Sequence, residues 1–196
     1  MKKNFVIVWI TIVVIWFVWL LTDRYRYGTF IHQWWMQNMW MHWFMGWSDM
    51  MQHVDISSEE EFIKHMIPHH QEAVDTASRV SSITQNVELK LLTDAIVVAQ
   101  QNEIIMMQSR LQDSYSSGTL QVIYEPMMRD LSTINAITTI ERMWLEDMIQ
   151  HHMGAVMMAQ QVLALDPSPE VAEFARNVIV AQSEEIDLMQ QFLQNY

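Results

Sequence analysis

The chain has 196 residues, no cysteine, and 23 acidic against 11 basic side chains, which gives a formal net charge of −12. The absence of cysteine excludes disulfides and thiolate metal sites, and the acidic balance disfavours nucleic acid as a partner. Only 4 Gly and 4 Pro interrupt a sequence rich in helix-forming residues, which predicts an all-α fold.

The amino terminus carries an apolar run over residues 5–21, in which Thr11 is the one polar side chain. As a helix this run would span roughly 25 Å, enough for the hydrocarbon core of a bilayer. Lys2 and Lys3 precede the run, which favours a cytoplasmic amino terminus. No small-x-small cleavage site follows the run, which disfavours the alternative of a cleaved signal peptide. We therefore predict a membrane anchor over residues 1–27, in contact with lipid, with the rest of a single-pass protein extracytoplasmic.

Residues 28–56 form a juxtamembrane segment crowded with Trp, Met and His. The simpler interpretation is an interfacial helix that lies against lipid. The alternative is an accessory metal site, because imidazole and thioether are soft donors and a Trp face can cover a cation. The candidate ligands of this accessory site are His32, Met36, Met39, His42, Met50 and His53.

An internal repeat organises the predicted domain, residues 57–196. Aligning residues 62–77 with 144–159 matches MI-x-HH and AV in both copies, and the same register aligns residues 95–111 with 177–193. One unit of two helices therefore occurs twice, and two αα-hairpins with apolar faces predict a four-helix bundle with approximate two-fold symmetry. The repeat units run over residues 58–114 and 138–195.

Helix starts and interruptions can be placed within each unit. Ser58 with Glu61, and Thr138 with Glu141, have the spacing of capping boxes before the first and third helices. Pro68 predicts a kink inside the first helix. The predicted helices cover residues 58–81, 86–114, 138–165 and 169–195, and residues 115–137 connect the hairpins.

Two histidine pairs occupy equivalent places in the repeat, His69 with His70 and His151 with His152. A methionine lies one helical turn before each pair, so a thioether shares a face with the imidazoles. A lone His is usually structural, but a pair present twice favours a ligand role, because Leu would pack at lower desolvation cost. The predicted metal ligands are His65, Met66, His69, His70, Met148, His151 and His152.

The residues around these histidines indicate a soft metal. Di-iron bundles use Glu-x-x-His, and none of these histidines has Glu three positions before it. Imidazole and thioether suit copper(I), with silver(I) as the second candidate. In the second helix of each unit an acidic residue could accept an imidazole N–H, and a methionine at i+4 could be a further ligand or fill the core. These residues are Glu103, Met107, Glu185 and Met189.

The blocks HMIPHHQEAV and DMIQHHMGAV, each followed by a helix reading AQ-x-x-E-I-x-x-M, resemble the family of domain of unknown function 305, which includes CopM-type copper-binding proteins. The resemblance covers about residues 59–195, and Gln150 departs from it in place of the second proline. It implies a ferritin-like fold, copper binding and copper tolerance. The ligands that it implies are Met66, His69, His70, Met148, His151 and His152.

Three functions stay open at this point. The favoured one is a membrane-anchored, extracytoplasmic protein that sequesters copper(I) or passes it to an exchange partner. The second is a metal-dependent redox enzyme of ferritin-like fold, which the missing Glu-x-x-His disfavours, and no catalytic residue is predicted. The third is a helical interaction module with a structural His–Met pattern, which the duplicated His pair disfavours.

Overall fold

A computed structural model describes residues 54–114 and 124–196, which form four α-helices and no strand within those ranges. The helices are α1 Glu59–Ile83, α2 Val87–Ser114, α3 Ile137–Leu163 and α4 Pro169–Leu193. Helix α1 packs against α2, α3 packs against α4, and α1 packs against α3. The prediction of an all-α domain built from two αα-hairpins is confirmed.

One part of the predicted fold class is wrong. In the described ranges, 54–114 and 124–196, no helix is long and apolar enough to cross a membrane. The predicted transmembrane helix is therefore not found in these ranges, and the single-pass localisation with an extracytoplasmic domain, which rested on that helix, has no support there. The four helices each mix polar and charged residues with apolar ones, as helices of a bundle do. Residues 1–53, which carry the predicted anchor, lie outside the described residues.

The start of α1 follows the predicted capping box. Ser58 Oγ accepts a hydrogen bond from the Glu61 backbone N–H at 3.1 Å. The Glu61 carboxylate reaches back to the backbone N–H of Ser57 at 2.9 Å. Two backbone donors that the helix itself leaves free are thereby satisfied, which fixes where α1 begins.

The start of α3 differs from the prediction. The helix begins at Ile137 after Ala136, which makes no side-chain cap, so Thr138 lies inside the helix. The predicted capping box with Glu141 is therefore wrong. Glu141 is buried and accepts hydrogen bonds from the hydroxyls of Thr84 and Tyr196, because tertiary partners outcompete the local cap for its carboxylate.

The inner helices α1 and α3 run antiparallel. The Ile56 backbone N–H donates to Gln161 Oε1 at 2.8 Å, which places the start of α1 beside the end of α3. Residues near the middle of one helix therefore meet residues near the middle of the other. Helix α1 continues through Pro68 as a single helix.

An apolar cluster fills one end of the bundle. The rings of Phe62 and Phe174 lie 5.9 Å apart, and fully buried Met66 and Met107 belong to the same cluster. Burying each such side chain contributes roughly 1.5 to 3 kcal/mol. This cluster holds α1 against the second hairpin and supports the helical turn on which the histidines lie.

Candidate metal site

Four histidines meet where α1 crosses α3. The ring centroids of His69 and His151 lie 3.6 Å apart, with an angle of 34° between the ring planes. His70 lies 6.1 Å from His69, and His152 lies 6.2 Å from His151, measured between ring centroids. All four side chains are buried. The two predicted pairs therefore form a single internal cluster to which both hairpins contribute.

The outer helices place a carboxylate against two of these rings. His70 Nε2 donates to Glu103 Oε2 at 2.8 Å, and His152 Nε2 donates to Glu185 Oε2 at 2.7 Å. A carboxylate only accepts, so Nε2 carries a proton, and in the neutral form of each ring the Nδ1 atom has the lone pair. Neither Nδ1 atom has a hydrogen-bond partner in the described part of the chain. Each ring is thus oriented with a free donor atom, as second partners orient histidine ligands in metal sites.

A third carboxylate, Glu72 of α1, faces the cluster from within the first hairpin. Its Oε2 atom lies 3.3 Å from His151 Nε2. The same carboxylate accepts hydrogen bonds from the Tyr124 hydroxyl and from the backbone N–H groups of Met127 at 3.1 Å and Met128 at 3.0 Å. Glu72 therefore joins the histidine cluster to the segment that precedes α3.

His69 and His151 are both fully buried, and neither ring has a hydrogen-bond partner among residues 54–114 and 124–196. His151 nevertheless lies 3.3 Å from the Glu72 carboxylate, whereas His69 has no such carboxylate within those ranges. The repeat explains this: the position that aligns with Glu72 in the second copy is Gly154, which has no carboxylate to offer. A buried polar atom without a partner is unusual and calls for a missing partner such as water or an ion.

The protein interior keeps the inner imidazoles neutral. Burial lowers the pKa of His69 well below its usual value, and the neighbouring histidines lower it further. Burial also lowers the pKa of His151, to about 4, although Glu72 opposes this. Burial alone would raise the pKa of Glu72, but hydrogen bonds, chiefly from His151 and Tyr124, lower it to about 2. The rings therefore hold lone pairs near neutral pH, which metal binding requires.

The predicted methionine ligands are all in the interior. Met66, Met148, Met107 and Met189 are buried, and Met66 and Met107 pack in the apolar cluster. His65, one turn before His69, is half-buried; burial lowers its pKa. The accessory ligands His32, Met36, Met39, His42, Met50 and His53 lie outside the described residues.

The donor set distinguishes between kinds of metal. In the described part of the chain, no group of three or more His, Asp or Glu side chains, the histidine cluster included, is arranged closely enough to hold a metal ion by itself. What is present is a group of four buried imidazoles, of which burial keeps His69 and His151 neutral, and a methionine lies one helical turn before each pair. Hard ions such as iron(II) and manganese(II) favour carboxylates, whereas copper(I) accepts imidazole and thioether. The residues therefore fit a soft ion.

The sequence did not single out Glu72 and Tyr124. Tyr124 belongs to the connection between hairpins, and the edge of its ring packs on His69 with centroids 6.4 Å apart. Glu72 follows His69 by one helical turn, so His-x-x-Glu was the available signal. Tyr124 had no such signal.

A four-helix bundle whose inner helices bring four imidazoles together defines a class of all-α proteins with an internal histidine site. The chain belongs to the family described as Domain of unknown function (DUF305), which matches residues 59–193. This confirms the resemblance seen in the paired histidine blocks. No curated protein matches the chain.

Solved structures of the same family resemble the chain. CopM in the Cu(II)-bound form is 31% identical, with a TM-score of 0.63, and the match covers 70% of this chain and 97% of that chain. CopM in the Cu(I)-bound form is 32% identical, with a TM-score of 0.62, over 70% of this chain and 96% of that one. A DUF305 fragment from Deinococcus radiodurans is 28% identical, with a TM-score of 0.61, over 70% and 96% of the two chains. Metal handling is therefore a property found in this family.

Proposed function

We propose that this protein binds copper(I), with silver(I) as a competing ion, and that it sequesters the ion or passes it to another protein in metal tolerance. The observation that carries the proposal is the contact of His69 with His151 inside the bundle, with ring centroids 3.6 Å apart. Buried imidazoles gain nothing from such an arrangement unless something occupies their lone pairs, because unpaired polar atoms destabilise a core.

Two further observations support the proposal. Glu103 and Glu185 accept the Nε2–H of His70 and His152, which leaves the Nδ1 atoms available as ligands. CopM, whose structures hold Cu(I), Cu(II) or Ag, is similar over most of its length. The proposed ligands are His69, His70, His151 and His152, supplemented by Met66, Met148 and His65, with Met107 and Met189 as further thioethers.

The experiment is a competition titration of the full chain under reducing conditions with copper(I), silver(I), copper(II), zinc and iron(II). The donor set predicts tightest binding for copper(I), then silver(I), and weak binding for iron(II). Tighter binding of zinc or iron(II) than of copper(I) would show that the cluster serves a harder ion. That the protein is not an enzyme, and that an exchange partner exists, stay predictions.

A further inference from the structure

Gly154 lies in the interior of α3, where glycine is among the least favourable residues for a helix. A Cβ atom at this position would lie 3.3 Å from His69 Nε2, 3.3 Å from Met127 Cε and 3.5 Å from Met127 Sδ. The missing side chain therefore keeps open a small space that an imidazole nitrogen and a thioether border together. Ala, the best helix former, would crowd both.

The two atoms that border this space are both potential donors to a soft metal ion. His69 Nε2 is buried and has no hydrogen-bond partner in the described part of the chain. Met127 Sδ is a soft donor, and the Met127 residue is 39% exposed. An unpaired imidazole nitrogen beside a thioether is a ligand pair for a soft monovalent ion. The exposure of Met127 means that this pair, unlike the rest of the cluster, borders solvent.

Glu72, which lies beside the histidine cluster, holds Met127 in position. The Glu72 carboxylate accepts hydrogen bonds from the backbone N–H groups of Met127 and Met128 at 3.1 and 3.0 Å, and from the Tyr124 hydroxyl. Glu72 and Gly154 are aligned positions of the repeat. One half of the molecule therefore supplies the residue that fixes Met127, and the other half supplies the space that Met127 and His69 share.

We propose that Met127 Sδ and His69 Nε2 together bind a copper(I) or silver(I) ion over Gly154, as the solvent-facing position of the histidine site. This inference rests on the proposed function in taking the ion to be soft. It assigns a ligand from outside the repeat, and it makes the site asymmetric: His151 of the second copy lies beside Glu72, whereas His69 of the first copy lies beside Gly154. Metal would reach the buried imidazoles past Met127.

The test uses the full chain with methyl-labelled methionine and silver(I), which is not oxidised. Binding should shift the Met127 methyl resonance in the NMR spectrum and leave that of Met128 in place. The M127L variant keeps the apolar volume and removes the sulfur, so it should weaken silver(I) binding on the order of tenfold. M128L is the matched control and should bind as the parent does. G154A, which fills the space, should weaken binding as M127L does.

Two outcomes would overturn the inference. If the parent binds silver(I) tightly while the Met127 methyl does not move and M127L binds like M128L, Met127 is not a ligand, although the proposed function stands. If the parent binds neither silver(I) nor copper(I), the proposed function fails and this inference fails with it. Because G154A and M127L perturb opposite sides of the same space, a loss of binding in both supports the shared position.

Discussion

The most informative perturbation of stability is Glu72→Gln. The Glu72 side chain is 12% exposed and serves the Tyr124 hydroxyl, two backbone N–H groups and the nearby His151 ring. Gln removes the charge and one acceptor oxygen but keeps the size. Hydrogen bonds to charged groups contribute about 1.5 to 3 kcal/mol each, and the remaining amide oxygen can keep one or two of them.

The pKa of Glu72 gives a second route to the free energy of unfolding that E72Q should remove. That pKa is lowered from 4.5 to about 2, so the folded protein stabilises the charged carboxylate by about 3 kcal/mol. We expect E72Q to lower the free energy of unfolding by about 3 kcal/mol at neutral pH, a large part of a typical domain's 5 to 15 kcal/mol. The stabilisation is complete above about pH 4.5 and is lost as the pH falls through about 2.

The assay is urea unfolding of the metal-free full chain, followed by circular dichroism, for the parent, E72Q and a control. Glu146→Gln is the control, because Glu146 makes ion pairs with Arg129 and Arg142 while its side chain is 38% exposed. Exposed pairs contribute about 0 to 1 kcal/mol, so E146Q should be close to the parent. If E72Q were as stable as E146Q, the role given to Glu72 as the residue that joins the cluster to the preceding segment would be wrong.

Three further predictions concern acid, capping and the carboxylates. The metal-free protein should lose stability as the pH falls from about 6.5 towards about 4, because the unfolded chain takes up a proton at His151 at a higher pH than the folded protein does. Urea unfolding at several pH values in that range measures the loss, and a stability that did not change with pH would contradict the prediction. S58A should lower the free energy of unfolding by about 1 kcal/mol, because it removes the side chain that caps α1. T138A removes no cap and should leave that contribution unchanged, and the unfolding midpoints of the two variants measure the difference. E103Q should weaken copper(I) binding about 10-fold to 100-fold in chelator competition, and unchanged binding would mean that the Glu103 contact does not orient a ligand.

Much of the fold could be predicted because the chain repeats itself. A helix pair that occurs twice must pack into something with approximate two-fold symmetry, and that symmetry brings His69 and His151 to the centre. The contacts of Glu103 and Glu185 follow from the same periodicity, since each lies on the face of its helix that the hairpin turns inward.

The parts that were missed are those where the two copies differ. Glu72 and Gly154 are aligned but chemically unlike, so a search for features common to both copies passes over them. Tyr124 and Met127 come from the connection between hairpins, whose path no periodicity specifies. Thr138 has the spacing of a cap, yet α3 begins one residue earlier and the Glu141 carboxylate bonds to Thr84 and Tyr196 instead.

The central claim, that the histidine cluster holds copper(I), is tested most directly by chelator competition on a variant with all four inner histidines replaced by Ala, beside an H32A/H42A control. Circular dichroism of each protein checks that the helices persist. Loss of tight binding in the fourfold variant, with the control unchanged, is the expected result. A fourfold variant that kept its helices and bound copper(I) as tightly as the parent would contradict the claim and make the His pairs structural.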